Sequence, residues 1–167
     1  MSAPQQKESA ILFSVANQPF LISASAVQEI RSTDSLGGSA VELPETNLLK
    51  VRHVLERNHR VYFVVNTGLH FGLPSSRPLL VLILREHRVA ALVDRIDRMT
   101  EITRVHPLPA SFVGDERRWY RGLAYLDSRI VPVIEPRGFL TNVEIAYVDK
   151  LAAGSRVLQH KMQEASA

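Results

Sequence analysis

Short apolar segments separated by polar turns run through most of this chain, and they limit the folds it can adopt. Four pairs of segments are spaced as hairpins: 11–15 with a stretch from residue 20, 51–55 with 61–65, 79–84 with 89–93, and 122–126 with 130–134. β-Branched residues are frequent within them, as expected on a pleated, half-buried surface. The pattern predicts an all-β fold, mainly strands with short helices.

Three segments break the pattern. Residues 32–39 contain Gly37-Gly38 and little to pack, and residues 106–115 contain two prolines. Both are predicted to be loops, since proline cannot occupy a central strand. Thr141 with Glu144 forms a possible capping box ahead of apolar residues at helical spacing. We therefore expect a C-terminal helix and tail over residues 141–167.

Composition excludes several classes of protein. The chain has 167 residues, 46% of them hydrophobic, which is enough for a core without metal or disulfide staples. There is no cysteine, so thiol catalysis, a thiolate zinc site and a disulfide framework are excluded. The polar N-terminus does not resemble a secretory signal, and the longest apolar run is far shorter than the roughly 20 residues of a membrane helix. We expect a soluble, cytoplasmic protein.

The chain also matches itself. Residues 53–66 align with residues 122–135, an offset of 69 positions (122 − 53). The earlier residues Phe20 and Ile30 fall on Val89 and Met99 at the same offset. Two independent segments with one offset predict a duplication. The approximate repeats are 10–75 and 79–140, whose strands can be intertwined, and they lie inside a single domain spanning 10–140.

Several segments, in order, resemble the CheW family of bacterial chemotaxis coupling proteins. The opening strand pair leads into Val27-Gln28-Glu29-Ile30, as in the family's Val-x-x-Ile turn. Other matching segments are 53–65 with Phe71-Gly72-Leu73, Leu92-Val93-Asp94-Arg95-Ile96, Pro107-Leu108-Pro109, Gly122-Leu123 and 130–134. The resemblance covers roughly residues 11–140.

The resemblance implies two interlocked five-stranded SH3-like barrels that perform no chemistry. It further implies a scaffold that couples a CheA-type histidine kinase to chemoreceptors. In place of the family's central Asn-Leu-Arg-Gly, however, this chain has Glu56-Arg57-Asn58-His59. A diverged scaffold with a different protein partner is therefore an open alternative.

No catalytic or metal-binding pattern stands out. The six histidines are scattered and form no helical i, i+4 pair. The chain lacks a Gly-x-Ser-x-Gly elbow and a phosphate-binding glycine loop. We expect no enzyme activity, no metal and no cofactor.

Residues 117–121, Arg-Arg-Trp-Tyr-Arg, form the most unusual local cluster. Such residues dominate interface hot spots, but they also stack on bases and meet phosphates. Three interpretations stay open: a cap on the core, a protein interface, or nucleic-acid binding by a small barrel. The net charge of +3 does not decide among them, because acids and bases are interspersed.

Residues 94–98 alternate in charge and are predicted to form a turn or short helix. Val54, Leu55, Ala90, Ala91 and Leu123 are expected in the core on alternation alone.

We predict a non-catalytic adaptor in chemotaxis signal transduction, recruited to membrane receptor arrays. Its partners would be a CheA-type kinase and the cytoplasmic domains of chemoreceptors, with no nucleic acid; self-association is left open. The candidate interface residues, chosen by position and chemistry, are Val54, Glu56, Arg57, Asn58, His59, Asp94, Arg95, Ile96, Trp119 and Arg121.

Overall fold

The structure, a computed structural model, describes residues 6–43 and 46–165, without the side chains of 37–39 and 155–165. The first residues of the polar N-terminus, the last two of the predicted tail and the His160 side chain lie outside this part. The strands are β1 Glu8–Val15, β2 Gln18–Ser23, β3 Val27–Ser32, β4 Ala40–Glu42, β5 Val51–Arg57, β6 Arg60–Asn66, β7 Leu80–Leu84, β8 Val89–Val93, β9 Arg95–Ile102, β10 Tyr120–Leu126 and β11 Arg129–Ile134. The α-helices are α1 Thr67–Phe71, α2 Glu116–Trp119 and α3 Asn142–Ala165, with 3-10 helices at Ala24–Ala26, Thr33–Ser39 and Pro136–Gly138.

The first sheet has the strand order β10-β11-β2-β1-β9. Adjacent strands in this sheet are antiparallel, except β2 and β11, which run parallel to each other. Beyond β9, His106 bridges Leu123 of β10 with two backbone hydrogen bonds of 2.7 and 2.8 Å. The two edges of the sheet therefore meet, which closes it into a barrel.

The second sheet has the order β3-β7-β8-β6-β5-β4, again antiparallel except for one parallel pair, β6 with β8. The 3-10 helix Thr33–Ser39 connects its edge strands β3 and β4. The two sheets with their connecting segments are called the two barrels. The sheet has six strands rather than the five expected, because Ala40–Glu42 pairs with the outer side of β5. The mainly-β class and the C-terminal helix are confirmed.

The two sheets exchange strands along the chain. The first takes β1 and β2 from one end and β9, β10 and β11 from the other, and the second takes everything between. The starts of β5 and β6, at Val51 and Arg60, lie 69 positions before those of β10 and β11, at Tyr120 and Arg129. We propose that the chain arose from two copies of a five-stranded unit that have exchanged their first hairpins, within one domain.

All four hairpins predicted from alternation are present. The loop predicted over residues 32–39 is wrong, because Thr33–Ser39 is a 3-10 helix. Its Leu36 is buried against the outer face of the second sheet, next to Leu55 and Tyr62. The side chain of Ser32 accepts a hydrogen bond from the amide of Asp34 and so caps this helix.

The predicted capping box begins α3. The amide of Glu144 donates to Thr141 Oγ1 at 3.1 Å, and the amide of Thr141 donates to Glu144 Oε1 at 2.9 Å. Val148 of α3 is buried in a cluster that also contains Phe13 of the first sheet and Phe63 of the second. The two barrels and the helix therefore share one core. None of the helices in the described part is long and apolar enough to span a bilayer.

Candidate partner-binding site

The ten predicted interface residues lie on three parts of the fold. Val54 to His59 belong to β5 and the β5–β6 turn of the second sheet. Asp94, Arg95 and Ile96 lie where the chain leaves the second sheet and enters the first. Trp119 and Arg121 lie at the end of α2 and in β10.

The β5–β6 turn presents a mixed surface. Arg57 donates a 2.8 Å hydrogen bond to Glu29 of β3, and both side chains are about 30% exposed. The ion pair thus links two strands that are not neighbours in the sheet. Asn58 and His59 are exposed at the turn, with φ values of +51° and +62°. Val54 is buried in the shared core, as alternation predicts, so its side chain offers little surface to a partner.

Asp94 joins the two barrels through hydrogen bonds. Its Oδ2 accepts from the amide of Ala16 at 2.8 Å, and its Oδ1 accepts from Ser76 Oγ at 2.8 Å. Its own amide donates to the carbonyl of Ser14. Both carboxylate oxygens are therefore engaged by internal partners at the junction of β8 and β9.

Residues 95–98 do not form the predicted turn or short helix; they are the start of strand β9. Pairing with β1 sets this conformation, with a bulge where the register shifts between Leu12 and Phe13. Arg95 forms a 2.6 Å ion pair with Asp97, whose other oxygen accepts from Ser14 Oγ at 2.6 Å. Ile96 packs against the shared core.

Trp119 belongs to an aromatic cluster at the seam between the barrels. Its ring centroid lies 4.8 Å from that of His70 and 5.8 Å from that of Phe71. Tyr120 stacks on the Phe71 ring at 6.0 Å. Burial, with a smaller effect of Glu116, raises the pKa of Tyr120 to about 12. This placement favours the core-cap interpretation of Trp119.

Internal partners also hold two arginines of the same cluster. Arg117 donates to the carbonyls of Pro109 and Phe112 and so fixes the loop ahead of α2. Arg121 forms a two-pronged pair with Glu8 of β1, at 2.9 and 3.2 Å. The hydrogen bond from Arg121 lowers the pKa of Glu8.

Lys50 is a hub that the sequence patterns did not reveal. Its Nζ donates to the Phe139 carbonyl at 2.8 Å, to Glu144 Oε1 at 3.2 Å and to His70 Nδ1 at 3.1 Å. An ammonium group only donates, so Nδ1 of His70 accepts and Nε2 carries the proton. Burial and the Lys50 charge lower the pKa of His70 to about 3, which keeps its ring neutral. No local signal could predict this cluster, whose members are far apart in the chain.

Large apolar side chains are exposed on both sheets. On the first sheet they are Met99 and the cross-strand partners Tyr125 and Ile130, at 58%, 68% and 57% exposure. On the second they are Ile30 of β3 and Leu79, directly before β7. Such groups are typical of surfaces that bind other proteins. Their positions in the strand pattern do not mark them as interface residues.

A protein-family model described as CheW-like domain matches residues 9–144. Among solved structures, the scaffolding protein TtCheW from Thermoanaerobacter tengcongensis superposes with a TM-score of 0.67 and 18% sequence identity. The match covers 82% of this chain and 90% of that chain. At this identity the likeness shows the fold alone. A search of curated protein sequences finds no match.

Proposed function

The chain belongs to the CheW-like domain family, and from this premise we propose that it is an adaptor that couples a CheA-type histidine kinase to chemoreceptors. The observation that carries the proposal is the family match over residues 9–144. CheW-like scaffolding proteins are non-catalytic, in agreement with the prediction from the sequence. No group of side chains suited to a metal ion occurs in the described part of the chain.

An adaptor needs two surfaces that can be occupied together. The exposed apolar residues of the first sheet, Met99, Tyr125 and Ile130, supply one candidate surface. Ile30 and the neighbouring Glu29–Arg57 pair of the second sheet supply the other. Since the two barrels share a core, a continuous set of packed side chains connects the two surfaces. The proposed mechanism is simultaneous binding, so that receptor state biases kinase geometry.

The proposed location follows from the partners. An adaptor between a kinase and receptor cytoplasmic domains would work in the cytoplasm, at membrane receptor arrays, with no segment of its own in the bilayer.

The second candidate is a diverged scaffold that binds another protein through the same surfaces. It is favoured by the β5–β6 turn, where Asn58 and His59 occupy the positions of the family's arginine and glycine. The arginine that directly precedes the turn, Arg57, does not replace it freely, because its guanidinium is paired with Glu29.

The test is a titration of the purified protein with the regulatory domain of the CheA-type kinase from the same organism. Glu56→Lys reverses an exposed charge on β5, and Glu101→Lys makes the matched change on the first sheet. We expect binding by the unchanged protein, weakened about tenfold by Glu56→Lys alone if the β5–β6 turn faces the kinase. Absence of binding by a folded protein would reject the kinase and favour the diverged scaffold.

The nucleic-acid alternative has less support. Of the three arginines in residues 117–121, Arg117 is bound to carbonyls and Arg121 to Glu8, and Trp119 packs on His70. We expect no change in the fluorescence anisotropy of labelled oligonucleotides at low salt. Binding that weakens steeply with added salt would restore that alternative.

A further inference from the structure

Three neighbouring cavities form one groove around the segment Pro136–Gly138. The first, of about 630 Å³, and the second, of about 390 Å³, share Glu86, His87, Pro136 and Arg137 in their linings. The third, of about 820 Å³, shares Arg118, Arg137 and Gly138 with the first. Arg137 lines all three, so it lies at the centre of the groove.

Arg118 and Arg137 are the available cations of this groove. Both are exposed, and neither guanidinium group has a hydrogen bond or ion pair to any other part of the chain that the structure describes. The other cations are engaged: Arg88 pairs with Asp149 at 2.8 Å, Lys50 donates to three acceptors, and Arg60 donates to the Arg85 carbonyl at 3.4 Å.

Tight packing fixes the backbone segments that carry the two arginines. A Cβ on Gly138 would lie 2.1 Å from the carbonyl oxygen of Arg118, so only glycine permits this approach. The amide of Glu135 also donates to the carbonyl of Trp119 at 2.9 Å. The backbones that carry the two guanidinium groups are therefore fixed against each other, which lowers the ordering cost of a shared ligand.

The walls on either side are apolar. The half-buried Ile145 lines the second cavity, and Leu49, Leu69 and Trp119 line the third. Arginine binds carboxylates with paired hydrogen bonds, and apolar walls accept aliphatic side chains. Glu86 and Asp115 also line the groove, so its unpaired positive charge is confined to the two arginines, which suits separate carboxylates better than a continuous phosphate backbone.

We propose that this groove binds an acidic peptide segment of a protein partner, with its carboxylates on Arg118 and Arg137 and its aliphatic side chains on the flanking walls. The inference goes beyond the proposed function, because it requires neither the kinase nor the receptor as the source of the segment. It adds a third surface to the two that the adaptor role needs.

The test uses a fluorescein-labelled peptide of alternating leucine and paired glutamate residues, with a matched peptide in which glutamine replaces every glutamate. Binding is followed by anisotropy and by quenching of Trp119, the only tryptophan, which lines the third cavity. We expect saturable binding of the acidic peptide at low salt and none of the glutamine peptide.

The variants separate a site from general charge attraction. Arg118→Gln with Arg137→Gln should weaken binding at least tenfold. Arg104→Gln with Arg129→Gln removes the same charge from exposed positions outside the groove and should change it less than twofold. Circular dichroism checks that each variant folds. No binding of the acidic peptide, equal loss in both double variants, or stronger binding of a single-stranded oligonucleotide at this site would overturn the proposal.

Discussion

Lys50 holds His70 as a neutral acceptor: Lys50 Nζ donates to Nδ1 of the His70 ring across 3.1 Å, at the seam between the two barrels. His70 is buried, and its Nε2 has no hydrogen-bond partner among the described residues. A proton on Nδ1 would break the hydrogen bond from Lys50 and place a second positive charge beside the ammonium group. The seam therefore resists protonation.

This arrangement predicts a loss of stability in acid. The pKa of His70 is about 3 in the folded chain and 6.5 when the chain unfolds. Below pH 6.5 the unfolded chain binds the extra proton and the folded chain does not, so the free energy of unfolding falls as pH falls. The slope from His70 is at most about 1.4 kcal/mol per pH unit between roughly pH 6 and pH 4.

Urea denaturation at several pH values, for the unchanged protein and His70→Phe, measures this slope. Phenylalanine keeps an aromatic ring beside Phe71 and Phe139 but cannot bind a proton. Glu8 and other carboxylates contribute equally to both proteins, so the difference between the two slopes isolates His70. Identical slopes would contradict the prediction.

The β5–β6 turn predicts a gain in stability from glycine. His59 has a φ of +62°, a conformation that costs little for glycine and more for residues with a Cβ. His59→Gly should raise the free energy of unfolding by about 0.5–1 kcal/mol in denaturant titrations. The control Glu56→Gly, within strand β5, should lower it. A loss of stability in His59→Gly would show that the side chain contributes more than the backbone strain costs.

Asp94 should matter for stability as well as for any partner. Asp94→Ala removes the acceptor for two donors, the Ala16 amide and Ser76 Oγ, and should cost about 1–3 kcal/mol. Glu101→Ala, which removes only an exposed pair with Lys7, should change stability by less than about 0.5 kcal/mol. Thermal melts of both variants decide this. If Asp94→Ala has the same melting temperature as the unchanged protein, these hydrogen bonds do not stabilise the fold. Any loss of partner binding by this variant is then an effect on the interface itself.

Gly122 allows the closure of the first sheet. A Cβ there would lie 2.2 Å from the His106 carbonyl oxygen, which accepts one of the two bridging hydrogen bonds. Gly122→Ala should therefore cost about 2–3 kcal/mol.

The control for this substitution is Gly154→Ala in α3. A Cβ at Gly154 would meet nothing within 4 Å, and the variant should gain about 0.5–1 kcal/mol from helix propensity. Denaturant titrations compare the two variants. Equal effects in both would contradict the closure argument.

The hairpins could be predicted because their strands are adjacent in sequence and the alternation of each is local. The capping box of α3 depends on two residues three positions apart, Thr141 and Glu144, and was predicted for the same reason. The family resemblance is confirmed by the match over residues 9–144.

The features that were missed depend on distant partners. Strand β9 has alternating charges, typical of a solvated turn, but its pairing with β1 lies more than 80 positions away along the chain. Leu36 was assigned to a loop because the residues that bury it, such as Leu55 and Ala90, come later in the chain. The groove around Arg118 and Arg137 likewise depends on contact between α2 and Pro136–Gly138, which no local pattern indicates.

The exchange of strands between the sheets has a consequence for synthesis. When β1 and β2 leave the ribosome, their partners β9 and β11 have not yet been synthesised. The edge of β2 that pairs in parallel with β11 stays open until Val133 is made. The second sheet, made from consecutive residues 27–93, can pair completely before then. Until translation passes residue 102, this apolar hairpin therefore has two open edges, and until residue 134 it still has one, which other nascent chains can reach.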